Sequence, residues 1–184
     1  MDSEKIAYEY MIKYYNTTSD KKTVKKLEAI SIETMAYLPY AYLKIRDDAM
    51  HRAGIGTTHK MKSVVSGIFM PVMQNHEYTL REKMNIWLGK AFSNSTVLSN
   101  ELYRTDLSKT ITKLDIPVYF FSGIYDYTVN YSMSKVYLKK LNAPVKGFYL
   151  FKESAHSPIF EEPKKVVHIM QEDILKSKNI LAEI

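Results

Sequence analysis

The sequence contains no cysteine among its 184 residues. That excludes disulfides, thiolate metal ligands and a cysteine nucleophile, and it suits a reducing compartment. Long hydrophobic runs are absent too. The longest apolar stretch, Val64 to Met73, is broken by Ser66, Gly67 and Pro71, and it is far short of the ~20 residues that span a bilayer. Asp2, Glu4 and Lys5 stand where a secretory leader would need an apolar core. The expectation is a cytoplasmic protein with no membrane partner. Glycine is scarce, and Gly54-Ile55-Gly56 is too short to signal a phosphate-cradling loop, so no cofactor is expected. His51, His59, His76, His156 and His168 share no ligand spacing and no carboxylate cluster, so no metal site is expected either.

What remains is an ordinary globular composition. Hydrophobic residues make up 46% of the chain, enough for a packed core in one domain. The net charge is +6, yet its one cluster, Lys21, Lys22, Lys25 and Lys26, has the spacing of a wet helix face opposite Val24, Leu27 and Ile30. It reads as a solvated surface, and no nucleic-acid partner is expected. Asn16-Thr17-Thr18, Asn94-Ser95-Thr96 and Asn130-Tyr131-Ser132 match the glycosylation pattern and, without a secretory signal, read as chance matches.

Residues 1–112 read as helices and loops. Ile6, Tyr10, Met11 and Tyr14 mark a first helix. Thr18, Ser19 and Asp20 are candidate N-caps for a second. Residues 34–50 form a third, with Pro39 starting or kinking it. His51 to Lys60 reads as a loop, and residues 61–73 are ambiguous. Thr79 with Glu82 is a capping box, followed at helical spacing by Leu80, Met84, Trp87, Leu88 and Phe92. Gly89 falls at or in the last turn, Ser93 to Ser99 is expected to be a loop, and Glu101 to Thr110 a short helix.

From about residue 113 the pattern changes. Val118 to Ser122 is a run of β-formers without alternation, as in a parallel strand covered on both faces. Met133, Val136, Tyr137 and Leu141 give a crossover helix its buried face, and Gly147 to Phe151 is a second strand. Pro163 opens a last helix, with Glu161 and Glu162 at its positive end. Val166, Val167, Met170 and Ile174 form its stripe, and the tail after Lys176 is expected to fray.

Asp126 follows the first strand and His156 the second. Parallel strands release both loops at one sheet edge, where open α/β sheets place their sites. Alone, Asp126 reads as a turn cap. Together the pair is two thirds of a charge-relay triad, the carboxylate holding the imidazole and the imidazole moving a serine proton.

Gly123-Ile124-Tyr125-Asp126-Tyr127-Thr128-Val129 and Ser154-Ala155-His156-Ser157-Pro158, with Phe160-Glu161-Glu162-Pro163, resemble the last two strands of the α/β-hydrolase fold, in its proline-iminopeptidase-like branch. The resemblance covers residues 114–175 and extends more weakly upstream, where the helical half resembles that family's cap. It implies an α/β fold class: a mostly helical cap (lid) over residues 1–112, then a two-strand parallel β-α-β-α unit over 113–184 as the C-terminal part of the core. It implies Asp126 as the acid and His156 as the general base. The family's nucleophile motif, Gly-x-Ser-x-Gly, is missing. Ser63-Val64-Val65-Ser66-Gly67 lacks the first glycine, and Ser122, Ser154 and Ser157 carry no elbow signature. The nucleophile and oxyanion donors are therefore expected to lie before Met1, leaving this chain inactive alone. Completed, it would hydrolyse a small-molecule ester, amide or N-terminal peptide bond. The alternative is a non-catalytic, self-associating remnant or interaction module. An open edge at Val118–Ser122 predicts either a homodimer or association with a missing N-terminal half, the alternative being that the helical half folds over that edge.

Overall fold

The computed structural model describes residues 2–30, 40–94 and 97–183. The chain is mixed α/β, mostly helical, with a two-stranded parallel sheet in its second half. The first packed body is made by α1 (Asp2–Thr17), α2 (Lys21–Glu28) and α3 (Tyr40–Ala53). Ala7, Met11 and Tyr15 from α1 meet Val24 and Leu27 from α2 and Tyr42, Ala49 and Met50 from α3. Asp20 is the N-cap of α2, its Oδ1 accepting from Thr23 N at 3.0 Å. The four lysines of α2 face solvent. Charged groups tie the helices at their margins: Arg46 Nε and the Tyr42 hydroxyl both donate to Glu4 Oε1, at 2.7 and 2.6 Å. The third helix runs through His51, which is buried, so the loop begins only at Gly54. Pro39 and the start of that expected helix lie outside the described residues.

The middle of the chain packs differently from its sequence pattern. Residues 65–69 form a π-helical turn that leads straight into α4 (Met70–Gln74), with Pro71 in its first turn. The capping box is formed: Thr79 N donates to Glu82 Oε2 at 2.8 Å and Glu82 N to Thr79 Oγ1 at 3.3 Å. It starts α5 (Leu80–Asn94), which continues past Gly89. α6 (Val97–Arg104) and α7 (Leu107–Thr110) follow. Of the loop expected at residues 93–99, Ser93 and Asn94 belong to α5 and 97–99 to α6, and 95 and 96 lie outside the described residues. Of the α5 stripe only Trp87 is half-buried, its ring 5.2 Å from that of Phe69; Leu80, Met84, Leu88 and Phe92 are exposed. Periodicity identifies the helix but does not supply the partner that would bury its face.

β1 (Val118–Gly123) pairs in parallel with β2 (Lys146–Phe151), in register from Val118 opposite Lys146 to Gly123 opposite Phe151. Alternation sends β1 side chains to both faces. Tyr119 and Phe121 meet Tyr149, Phe151, Val166 and Ile169 on one; Val118 and Phe120 meet Phe148, Leu138 and Leu141 on the other. Cover on both faces explains the unbroken apolar run. The crossover helix α8 (Tyr131–Lys140) buries Leu138, with Leu141 just beyond it, and leaves Met133 and Val136 exposed. After the single turn α9 (Pro158–Glu161), α10 (Pro163–Glu172) buries Val166 and Ile169, while Val167 and Met170 are exposed. Each expected stripe therefore holds in part: Tyr137 and Leu141, and Val166 and Ile174, pack as expected, while Leu138 and Ile169 take the places expected of Met133, Val136, Val167 and Met170, since contact with the sheet sets the buried line. Among the described residues no helix is long and apolar enough to cross a membrane.

The tail does not fray. Asp173, fully buried, accepts from the Tyr149 hydroxyl at 2.8 Å and from the amides of Ile180 and Leu181 at 2.9 and 2.8 Å. Glu183 N then donates to Phe148 O at 2.9 Å, on the β2 edge away from β1. Burial works to raise the Asp173 carboxyl. Hydrogen bonds from Leu181, Tyr149 and Ile180 outweigh it, so the net shift is downward. A depressed folded value contributes stability above the unfolded value of about 4 that is lost as pH falls through the folded one. Asp173→Ala is expected to speed deuterium exchange at the Ile180 and Leu181 amides by about tenfold or more at pH 7, equivalent to about 1.4 kcal/mol or more of local opening. Unchanged exchange would show that the tail is held by other contacts.

Candidate active site

Both site loops start where the strands end. After Gly123 the chain turns sharply: Ile124 N donates to Phe151 O at 3.0 Å, and Asp126 N returns to Gly123 O at 3.2 Å. Gly123 has a steric reason. A Cβ there would lie 2.1 Å from Ser154 O and 2.2 Å from Ala155 O, so the histidine loop can rest on the first strand only where no side chain intervenes.

Asp126 is buried, and its two oxygens do separate work. Oδ1 accepts from Val129 N at 2.9 Å, the turn-capping role its sequence context suggests. Oδ2 faces His156 Nδ1 at 2.9 Å. The structure thus brings together the two residues that sequence reasoning singled out. With Nδ1–H donated to the carboxylate, a neutral imidazole carries its lone pair on Nε2. Among the described residues no group hydrogen-bonds to that nitrogen, and the ring is 43% exposed. The bond to Asp126 raises the imidazole's proton affinity above the ordinary 6.5, with burial and the more distant Arg46 opposing it.

His156 opens onto a small cleft of about 130 Å³, whose walls include Arg46, His51, Thr57 and Thr128. Thr57 and Ile68 also border a larger, open hollow of about 650 Å³, lined by Met61, Ser157 and Phe160 among others. The candidate serines are elsewhere engaged or not in contact. Ser122 is buried in β1, and Ser154 donates to Glu162 Oε1 at 2.7 Å. Ser157 lines the hollow and Ser66 donates to Ser63 O at 3.4 Å. Neither is hydrogen-bonded to His156. Among the described residues no three histidine or carboxylate side chains converge as a metal site would require.

Two features escape the sequence pattern. Residues 54–59 reach across to both loops: Gly56 O accepts from His156 N at 3.3 Å, Ile55 O from Tyr127 N at 3.4 Å, and the His59 ring stacks on Tyr125 with centroids 3.7 Å apart. Glu162 is the N-cap residue of α10 but makes no side-chain cap bond there, and both carboxylates reach the histidine loop. Glu162 Oε1 accepts from Glu153 N at 3.0 Å, and Glu161 Oε2 from Ala155 N at 2.8 Å. The carboxylates turn back because the histidine loop carries backbone donors with no strand to satisfy them. A glutamate close behind a loop histidine was the available signal, but its spacing alone does not separate a loop staple from a helix-end charge.

The pair predicts a titration. His156 is expected to titrate above 6.5 by NMR, and Asp126→Asn to lower that midpoint. A raised folded value stabilises fully below about 6.5 and loses that contribution as pH rises through it, while the base form of the ring grows over the same interval. A midpoint unchanged in the variant would mean that the pair is not coupled in solution.

No protein-family model matches the chain, and no solved structure matches it. A curated protein, the probable aminopeptidase YbaC of Bacillus subtilis (strain 168), is 33% identical over 108 residues, which is 59% of this chain and 33% of that protein. The chain therefore aligns with about a third of its relative's length.

Proposed function

We propose that Asp126 and His156 are the acid and general base of a serine hydrolase of the α/β-hydrolase superfamily, in its proline-iminopeptidase-like branch. Its substrate would be a small ester, an amide or an N-terminal peptide bond. The observation that carries this is the 2.9 Å contact between Asp126 Oδ2 and His156 Nδ1 at the shared end of two parallel strands. In this reading Asp126 holds the tautomer, and Nε2 takes the serine proton as the hydroxyl attacks the acyl carbon. The same proton then goes to the leaving group. The relative's name as a probable aminopeptidase supports it. Residues 1–112 would act as the cap and 113–184 as part of the core. Because Nε2 meets no hydroxyl among the described residues, the nucleophile and oxyanion donors would come from outside this chain, which alone would be inactive.

Intact-mass spectrometry after fluorophosphonate treatment tests this. The 184-residue chain should take no adduct. A chimaera that carries residues 113–184 in place of the corresponding C-terminal part of the Bacillus relative should take one, and should lose about 10³-fold or more of its hydrolytic rate on His156→Ala. Equal rates with and without His156 would sink the proposal.

A second reading, as a self-associating module, is favoured by one specific asymmetry. The β2 edge away from β1 receives Glu183, whereas β1 has no second strand among the described residues. Backbone alternation turns Val118 N and Ile124 N toward β2, leaving those of Tyr119 and Phe121 on the open side. Open edges of this kind recruit another strand. Purified chain is expected to show twice its 21.4 kDa mass by light scattering at micromolar concentration. A monomer under those conditions would rule out pairing between copies.

A further inference from the structure

We infer that Glu161 is a positioning residue for His156: its carboxylate staples residues 54–59 to the histidine loop and so fixes the imidazole over its cleft. The functional weight of this rests on reading His156 as the general base; the staple itself does not.

The geometry is bidirectional. Glu161 Oε1 accepts from His59 N at 2.5 Å and Oε2 from Ala155 N at 2.8 Å. One carboxylate thus joins two segments about a hundred residues apart in sequence. Ala155 immediately precedes His156, so the second bond fixes the peptide plane from which the histidine departs. The first bond fixes a segment that is itself in contact with both site loops, through Gly56 O, Ile55 O and the ring of His59. That segment contributes Gly56 and Thr57 to the cleft wall beside His156. Glu161 is half-buried, and an ionised carboxylate is the one side chain that offers two acceptors and no donor to two facing N–H groups. Glu162, next in sequence, is the natural control: it holds Glu153 N and the Ser154 hydroxyl but does not reach residues 54–59.

Glutamine separates shape from chemistry. Glu161→Gln is isosteric, yet it must turn an NH₂ toward one of the two amide donors, so one bond is lost. Glu161→Asp keeps both acceptors on a shorter stem. NMR of the full chain reads the consequence without any turnover. Three signals are followed: the His156 Nδ1–H proton bound to Asp126, the His156 titration midpoint, and the ring-current shift between His59 and Tyr125. The other charged or titratable groups around the cleft, Arg46, Asp47, His51 and Lys90, are unchanged in every variant. In Glu161→Gln the Nδ1–H signal should broaden, the midpoint should fall, and the His59–Tyr125 shift should collapse. Glu162→Gln removes the same charge and should leave the His59–Tyr125 shift in place.

If all three signals in Glu161→Gln match the unsubstituted chain, the inference is wrong. An equal change in the His59–Tyr125 shift in both glutamine variants would also overturn it, because Glu162 does not reach residues 54–59 and its loss can touch that shift only through charge. Should Glu161→Gln fail to fold, Glu161→Asp carries the test, with partial changes expected and none overturning it. In the chimaera, Glu161→Gln should lower kcat and shift its pH profile with KM little changed. That result can fail while the His156 requirement holds, and the reverse, so the two readings fall separately.

Discussion

Parallel pairing of β1 with β2 is the constraint on which the site depends. Two strands running the same way must release their following loops at the same end. Asp126 and His156 are 30 residues apart in sequence, and a ladder whose register runs from Val118 opposite Lys146 to Gly123 opposite Phe151 brings them into contact. An antiparallel pair would place them at opposite ends. The ladder in turn depends on burial at both faces. Phe148, Tyr149 and Phe151 are each fully enclosed, and burying a side chain of that size is worth about 2–3 kcal/mol. Two strands alone are marginal; what makes this pair hold is α8 on one face, α10 on the other, and a tail anchored by Asp173.

The loops need a further restraint, because a strand end fixes where a loop begins and not where its fourth residue points. Three restraints converge on the histidine loop. Gly123 lets it lie against the first strand, Glu162 holds its start, and Glu161 holds the peptide before His156. The acid loop is simpler, since Asp126 caps its own turn with one oxygen and keeps the other for the imidazole. A carboxylate bound on both oxygens has little rotational freedom left. That is what a tautomer-holding residue requires.

The sheet unit was legible in sequence for a definite reason. A run such as Val118 to Phe121 has few alternatives to a doubly covered strand, and Gly123 and Pro163 punctuate it clearly. The pairing of Asp126 with His156 then followed from topology. The less legible parts were those decided by tertiary contacts. Leu138 and Ile169, not Val136 and Val167, meet the sheet, because the approach of each helix selects its buried line. The tail looked too charged to pack, yet its backbone amides, not its side chains, make the contacts to Asp173. Residues 54–59 carry no periodicity at all, so nothing local signals that they reach the site loops.

The same distinction explains the middle of the chain. α5 has a capping box and a helical apolar stripe, and none of its described side chains is fully buried. Local chemistry is sufficient to form the helix; beyond the contact of Trp87 with Phe69, burial of its stripe needs a surface that the described residues do not provide. The open side of β1 poses the same demand in backbone form, where unpaired amide and carbonyl groups seek a strand as an apolar stripe seeks a face. Both unmet demands concern surfaces, whereas the Asp126–His156 contact is internally complete, buried on its acid side and open on its base side. The exposed Nε2 is the third open feature, and it differs from the other two in chemistry. A strand edge and an apolar stripe select for shape and burial, but a lone pair held by a buried carboxylate selects for a proton donor.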